Sequence, residues 1–192
     1  LPDTLTNIGD RAFAWCTSLR SITLPIGLKN IGDGAFGMCF HLYKVYNNSS
    51  INITAGSDTA YSGGIGENAI YVAKNGEAIP EGKYYDFEFI KSKDGTVYAT
   101  GYEGNDYILN FPSVAILNDG VKYEKFKIAK YAFSYSAPAR KITEVSLNDG
   151  VTEIGNNAFD GCTELKAITF GKNVEVIGNS AFAGCYLLNS AD

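Results

Sequence analysis

The chain has 192 residues, of which 45% are hydrophobic and 13% aromatic, with 13 tyrosines among them; this composition is typical of a folded protein. Its net charge of −5 comes from 21 acidic and 16 basic side chains interspersed along the chain, which disfavours nucleic acids and anionic membranes as partners because both select a basic surface. No run of 18 apolar residues occurs, so no stretch is predicted to span a membrane.

The chain opens with two complete 23-residue units, residues 1–23 and 24–46. Both carry Ile-Gly at unit positions 8 and 9, Ala-Phe at 12 and 13, Cys at 16 and Leu at 19. A fixed period in the twenties predicts a solenoid, in which each unit is one coil packed on the next. The two units begin in register at the first residue, and the last unit closes at residue 192, so we expect these residues to be a segment of a longer array.

The second unit shows how we expect one coil to be built. Alternation before Pro25 predicts a short strand with Ile22 and Leu24 facing inward, and the proline ends it because it has no N–H to donate. Residues 28–31 are predicted to form a second extended piece. Residues 32–36 are predicted to form a turn that leads into a single helical or 3₁₀ turn and places Phe36 in the core.

The middle of the chain departs from the regular unit. Residues 47–81 keep the Ile-Gly-x-x-Ala-apolar pattern at 65–70, with 11 extra residues within 47–64 that are predicted to form an outward loop. Alternating runs around Asp94-Gly95 then predict a β-hairpin at 82–110 that caps or splits the array.

Repeats resume in the last part of the chain. Residues 111–146 hold one irregular unit with Ala129 in place of the glycine and an insertion at 137–139, and units 147–169 and 170–192 are regular. We therefore predict three segments, namely a repeat array at 1–81, a hairpin insert or cap at 82–110, and a second array at 111–192.

Two repeated residues have clear physical roles. The phenylalanine at unit position 13 recurs once per coil and predicts a buried aromatic spine. The glycine at unit position 9 predicts either a positive φ or a close approach between coils. The residues concerned are Phe13, Phe36, Phe133, Phe159 and Phe182, with Gly9, Gly32, Gly155 and Gly178.

All four cysteines occupy unit position 16, as Cys16, Cys39, Cys162 and Cys185. They lack the close Cys-x₂₋₄-Cys pairs of a zinc site, and their equivalence by position disfavours a catalytic thiol. Adjacent coils would bring a Cys16–Cys39 or Cys162–Cys185 pair within disulfide range, but the parallel Cβ directions would strain the bond. Free, buried thiols are therefore the favoured interpretation, with the disulfide left open.

Residues for catalysis or metal binding are not apparent. His41, the only histidine, sits at a unit position that holds Ser, Glu or Leu elsewhere, so we interpret it as an exposed turn residue. No Ser-His-Asp set can be assembled. The Asn-Asp-Gly turns at 118–120 and 148–150 lack the alternating ligands of a calcium loop, and we interpret them as turns. No enzymatic activity, metal or cofactor is predicted.

With these units the chain resembles the BspA-type leucine-rich repeat family, whose pattern is Leu-Pro-x-x-Leu-x-x-Ile-Gly-x-x-Ala-Phe-x-x-Cys-x-x-Leu-x-x-Ile-x. The match is close over residues 1–46 and 147–192 and looser at 65–70 and 111–146, where Ala129 and Ser136 depart from it. The resemblance implies a right-handed leucine-rich-repeat solenoid. It also implies a secreted or cell-surface protein, often bacterial, that adheres to host proteins or to other cells.

Candidate binding residues lie at the outward positions of the strands, as Lys44 and Tyr46 do, and beside them, as Arg20 and Tyr43 do. Arg20, Tyr43, Lys44 and Tyr46 form the group most like a binding hot spot, because tyrosine and arginine are enriched among binding anchors. Trp15 is a further candidate, unless its ring folds over the neighbouring unit. A protein ligand, from the extracellular matrix or a cell surface, is the partner we expect. The alternative is a structural spacer with no ligand of its own, and the residues do not fix an oligomeric state.

Overall fold

The computed structural model of the chain describes residues 1–57, 63–134 and 141–192, so the predicted insertion at 137–139 and Ser136 lie outside the described residues. The chain divides into two compact units, Leu1–Ile79 and Pro80–Asp192. Both are β-solenoids. Together they contain about eight coils, and the described residues contain almost no helix. The predicted repeat solenoid is confirmed, while the three segment boundaries stay predictions.

The first unit holds short parallel strands that recur once per coil. Two of them pair on one side of the coils and three on the other, each strand bonding the equivalent strand of the next coil. Ile22 and Leu24 are buried between exposed neighbours, as their alternation predicts. The strands are β1 Asn7–Ile8, β2 Ser21–Leu24, β3 Asn30–Ile31, β4 Lys44–Asn47 and β5 Tyr71–Lys74, in the sheets β1-β3 and β2-β4-β5.

The second unit has two larger sheets and a small one. One sheet has the strand order β16-β14-β12-β8-β7-β6, a second has the order β17-β15-β13-β9, and β10 pairs with β11. The strands are β6 Glu81–Tyr84, β7 Phe87–Lys91, β8 Val97–Tyr102, β9 Ile108–Asn110, β10 Ala115–Ile116, β11 Lys122–Tyr123, β12 Phe126–Ile128, β13 Glu144–Ser146, β14 Val151–Ile154, β15 Ala167–Thr169, β16 Val176–Ile177 and β17 Ser190–Ala191.

The hairpin predicted around Asp94-Gly95 is present and is part of a larger structure. Strands β6, β7 and β8 form an antiparallel meander, and Gly95 has the positive φ of 91° that the turn between β7 and β8 requires. The free edge of β8 then pairs in parallel with β12. The meander therefore forms one end of the six-stranded sheet of this unit, continuous with its coils.

The insertion after β4 turns partly inward, which corrects the prediction of an outward loop for its first residues. Asn47 is buried; its amide donates to the carbonyl of Ile51 and accepts from Ser49. Ile53 returns to the core of the first unit. The polar composition of this segment hid two features, namely an asparagine that holds a tight turn through its side chain and two isoleucines, Ile51 and Ile53, that pack on the core.

Along the turns between the strands, successive backbone N–H groups alternate between a partner in the same turn and a partner in the next coil. In the first coil the N–H groups of Ala12, Ala14 and Cys16 bond the carbonyl three residues earlier. The N–H groups of residues 11, 13 and 15 instead bond carbonyls of the next coil. Two of these three residues have a positive φ, 55° at Arg11 and 65° at Trp15. The predicted turn is therefore present, but the alternation prevents it from continuing as a helix.

The stack of phenylalanine rings is confirmed in both units, although Phe13 and Phe182 are half-buried and not buried as predicted. Phe13 and Phe36 stack with ring centroids 5.0 Å apart in the first unit. In the second unit Phe133 and Phe159 stack at 5.0 Å, and Phe159 and Phe182 at 5.4 Å, all with nearly parallel rings. One phenylalanine per coil at a fixed unit position is what produces this stack.

The repeated glycines allow close approach between coils, and their φ angles are not positive. A Cβ at Gly155 would lie 2.7 Å from the Ile128 carbonyl oxygen, and one at Gly32 would lie 2.4 Å from the Asp10 nitrogen. At Gly9, in the first coil, a Cβ would meet no atom within 4 Å. The close-approach alternative of the sequence analysis is therefore the right one.

This difference gives a matched pair of variants at one unit position. Gly155→Ala is expected to lower the free energy of unfolding by about 1–3 kcal/mol, because backbone atoms of the preceding coil must move. Gly9→Ala is expected to change it by less than about 1 kcal/mol, since the methyl group meets open space and alanine restricts the unfolded chain. Urea unfolding followed by circular dichroism compares the two. Equal losses would show that coil spacing does not depend on this glycine.

Candidate functional site

The outward face of β2 and β4 carries two of the predicted binding residues. Lys44 pairs in register with Ser21, and Tyr46 with Thr23, so the four side chains form a small patch on one face. The intervening Ile22 and Val45 point into the core. Ser21 and Thr23 are exposed, and Lys44 and Tyr46 are half-buried. We call these four residues the strand patch.

The strand patch ends at β5. Tyr71 and Ala73, which continue the rows of Lys44 and Tyr46, are both buried. The Tyr71 hydroxyl donates to Glu77 in the segment after β5, and this hydrogen bond to the carboxylate, with desolvation, raises the pKa of Tyr71 to about 12. The accessible part of the face is therefore limited to β2 and β4.

Arg20 and Tyr43 precede the two strands and differ in exposure. Arg20 is half-buried beside the strand patch, and its carbonyl accepts the N–H of Lys44. Tyr43 is only 2% exposed, which corrects the prediction that it belongs to an accessible binding group. Its carbonyl accepts the N–H groups of Ile70 and Tyr71, so the expanded third coil covers it.

His41 is buried as well, which corrects its interpretation as an exposed turn residue. It is 3% exposed, its Nδ1 donates to the Thr17 carbonyl, and its ring meets Tyr43 edge to face at 6.0 Å. The third coil explains this burial too, since Asn68 donates to the carbonyl of Cys39 just before the histidine. His41 therefore ties the second coil to the first through its hydrogen bond to Thr17.

Trp15 stands on the turn of the first coil, apart from the strand patch. It is 68% exposed, so its ring is not folded over the neighbouring unit. Met38 holds the same unit position in the second coil and is 45% exposed. Both residues have a positive φ, 65° and 61°, where the regular coils of the second unit place Gly161 and Gly184. We call Trp15 and Met38 the turn pair. The sequence analysis selected Trp15 and did not select Met38 as a candidate.

Cys39, Cys162 and Cys185 are buried and all four cysteines are free, as favoured from the sequence; Cys16 is exposed, which corrects its placement in the core. The buried thiols have a further role that sequence reasoning missed. Cys39 donates to the carbonyl of Phe13, and Cys185 to that of Phe159, both in the preceding coil, at 3.1 and 3.2 Å. Desolvation raises the pKa of the Cys39 thiol to about 11.

The acidic turns are held by contacts within the protein. Asp119 accepts the N–H of Val121, which closes its own turn. Asp149 accepts the N–H of Lys172 one coil later and forms an ion pair with its ammonium group. These contacts to Lys172 hold the pKa of Asp149 below its usual range. Within the described ranges no three His, Cys, Asp or Glu side chains are grouped as metal ligands, and no helix is long and apolar enough to cross a membrane.

The chain belongs to the BspA-type leucine-rich repeat family. Residues 1–92 and 126–192 match the BspA type leucine rich repeat region in six copies, and the segment between them covers the end of the meander and the small hairpin β10-β11. The match thus includes every residue of the strand patch and of the turn pair. No curated protein matches the sequence.

Several solved structures are similar to the chain. A leucine-rich repeat protein from Bacteroides capillosus ATCC 29799 is 26% identical over 57% of this chain and 79% of that chain, with a TM-score of 0.51. A leucine rich cell surface protein from Faecalibacterium prausnitzii A2-165 is 22% identical over 99% of this chain and 64% of that one, with a TM-score of 0.36. The pneumococcal vaccine antigen PcpA is 22% identical over 97% and 53%, with a TM-score of 0.43. The chain spans less than two thirds of the latter two.

Proposed function

We propose that this BspA-type leucine-rich repeat chain is a non-enzymatic binding module of a secreted or cell-surface protein. Its ligand, in this proposal, is a protein of the extracellular matrix or of a cell surface. Family membership supports the proposal, because leucine-rich repeats in general mediate protein interactions. A solenoid also offers an extended face whose outward positions vary while its core repeats.

The observation that carries the proposal is the turn pair. Equivalent residues of adjacent coils lie about 5 Å apart, so Trp15 and Met38 are neighbours on the surface. A large side chain at positive φ costs conformational energy that glycine would avoid, and an exposed one gains little from burial. Strain kept at an exposed apolar site points to a role outside folding. Trp is among the commonest binding anchors, and Met adapts to varied partner surfaces.

The strand patch extends the proposed site with polar contacts. Tyr46 contributes an aromatic ring, and Lys44 and Arg20 contribute positive charge beside it. Such a mixture of aromatic and basic groups is typical of binding anchors. A structural spacer without a ligand is the competing reading, and it predicts glycine at the turn position of every regular coil, as at Gly161 and Gly184. The turn pair favours the binding module.

The double variant Trp15→Gly/Met38→Gly tests the proposal without loss of the fold. Glycine accepts positive φ, so the free energy of unfolding should stay within about 1 kcal/mol of wild type. Loss of a tryptophan anchor should weaken binding by about thirtyfold or more, which corresponds to about 2 kcal/mol. The measurement is capture of extracellular-matrix and plasma proteins on the immobilised chain, followed by biolayer interferometry with each captured protein.

Two further variants locate the site. Tyr186→Ala removes another exposed aromatic ring and should leave capture unchanged. Lys44→Ala/Tyr46→Ala removes the two half-buried side chains of the strand patch, and buried Tyr43 is left intact because its loss would damage the core. Capture that survives both double variants would contradict this placement of the site. No capture by the wild-type chain would contradict the binding function and leave the spacer.

A further inference from the structure

The second unit contains a pocket of about 500 Å³ that the repeat architecture does not require. It lies where the turn between β6 and β7, the end of β8, β9 and the segment after β9 meet. A volume of this size is typical of small-molecule sites, which span roughly 300–1,000 Å³. The pocket lies outside the strand patch and the turn pair, in the other compact unit.

The floor of the pocket rests on a packed cluster of aromatic side chains. Phe87 and Phe111 are fully buried, with ring centroids 4.4 Å apart, and Tyr102 packs on Phe87 at 4.9 Å. Phe111 in turn meets Phe133 of the aromatic spine at 5.5 Å. The floor is therefore anchored in the core of the unit, which keeps it in one arrangement before any ligand enters.

One wall is a strained turn. Tyr84 and Phe87 pair across the hairpin, so Tyr85 and Asp86 form its two-residue loop, with φ of 50° and 63°. Loops with two positive φ angles normally use Asn-Gly or Gly-Gly. Here Tyr85 takes the first position. Its side chain is 70% exposed, and its ring centroid lies 4.4 Å from that of Tyr84. An exposed ring on a backbone that disfavours it indicates a role in contact with a ligand.

The polar groups of the pocket both donate and accept hydrogen bonds. Asp86 and Asp106 supply carboxylates, and Asn110, Ser113 and Asn148 supply amide and hydroxyl groups. Asp106 already orients one ring, since it accepts the hydroxyl hydrogen of Tyr102 at 3.0 Å. None of the twelve lining residues is basic. The nearby Lys83 pairs with Glu103 at 2.9 Å and with Asp86 at 3.6 Å.

These features select among ligand classes. Two carboxylates without a basic lining residue repel anions, so phosphates and acidic sugars are disfavoured. A quaternary ammonium ion would need ring faces turned toward one centre, whereas these rings pack on one another, and it could not use amide donors. Neutral sugars fit, because each hydroxyl both donates and accepts and the C–H face of one sugar ring can pack on the exposed ring of Tyr85. We propose that this pocket binds a neutral oligosaccharide.

The test uses the whole chain on an array of neutral and acidic oligosaccharides from bacterial and mammalian surfaces, followed by isothermal titration calorimetry with each sugar that binds. We expect one or more neutral sugars to bind and their sialylated counterparts to bind more weakly. Tyr85→Gly removes the exposed ring from a turn that glycine tolerates, and Asp86→Asn removes one charge at a position that asparagine also tolerates. Each should weaken sugar binding tenfold or more, while Tyr186→Ala leaves it unchanged.

Several results would overturn the proposal. These are the absence of any neutral sugar from the bound set, tighter binding of acidic sugars or of choline, and sugar binding that both pocket variants retain. Circular dichroism of Tyr85→Gly and Asp86→Asn confirms that the meander is folded in each. The Trp15→Gly/Met38→Gly variant should bind the sugar as wild type does, so the pocket and the proposed protein-binding surface can fail separately.

Discussion

Phe159→Ala is expected to lower the free energy of unfolding by about 3–5 kcal/mol. Phe159 is fully buried and lies between two parallel rings, Phe133 at 5.0 Å and Phe182 at 5.4 Å. Truncation would remove both stacking contacts and leave a cavity that neighbouring coils cannot fill, because their spacing is fixed by backbone hydrogen bonds on each side. Urea unfolding of the second unit, monitored by circular dichroism, measures the loss.

Phe182→Ala is the matched control at the same unit position. Phe182 is half-buried; its ring stacks on that of Phe159 and meets that of Phe170 edge to face. Because less apolar surface returns to water, we expect a clearly smaller loss than for Phe159→Ala. Small and equal losses in the two variants would contradict a core built on the stacked rings.

Cys16 should react with a thiol reagent orders of magnitude faster than the other three cysteines. Cys16 is exposed, whereas Cys39, Cys162 and Cys185 are buried. With its pKa raised to about 11 by desolvation, about one thousandth of Cys39 is thiolate at pH 8, and the thiolate is the reactive form. The hydrogen bond with Cys185 and desolvation raise the pKa of the Cys162 thiol well beyond its usual range.

The measurement is reaction with a thiol-specific reagent at pH 8, read by intact mass. One thiol should react quickly in the native protein and all four in denaturant. A Cys16→Ser variant should show no fast phase. Two or more fast thiols in the native wild type would contradict the buried positions, and a mass two hydrogens lower before labelling would contradict free thiols.

The regular coils could be predicted from sequence because every contact there repeats. The phenylalanine at unit position 13 has the same kind of neighbours in each coil, so its recurrence alone indicates a stack. Ile22 and Leu24 follow strand alternation, and Gly155 marks the approach of two coils. In these places local pattern and tertiary environment agree, which is the condition under which a sequence specifies its structure.

Tyr43 and His41 show where that reasoning stops. Their equivalents in other coils include the polar residues Arg20 and Glu164, which indicates an exposed unit position. Burial arises instead from the third coil, whose expanded path places Asn68 and Ile70 against the segment from Cys39 to Tyr43. A repeat register carries no information about an insertion in the neighbouring coil.

The pocket of the second unit was equally inaccessible to sequence reasoning. Asp94-Gly95 predicts a hairpin, but the pairing of β8 with β12 depends on residues more than twenty positions apart. Tyr85 gives no signal of its own, because tyrosine is a poor indicator of a tight turn. The alternation of Phe87 and Phe89 indicates a buried face of the strand, but it does not indicate that Phe87 lies beneath a pocket.

The alternating turns have a mechanical consequence. Because N–H groups from the strands and from the turns both point to the next coil, each coil is held to its neighbour by backbone bonds that run parallel to the solenoid axis. A pull along that axis loads these layers in series, so the weakest layer separates first. A released 23-residue coil lengthens from a rise of about 5 Å to about 75 Å. Such a chain would extend under tension in steps and keep its remaining coils folded.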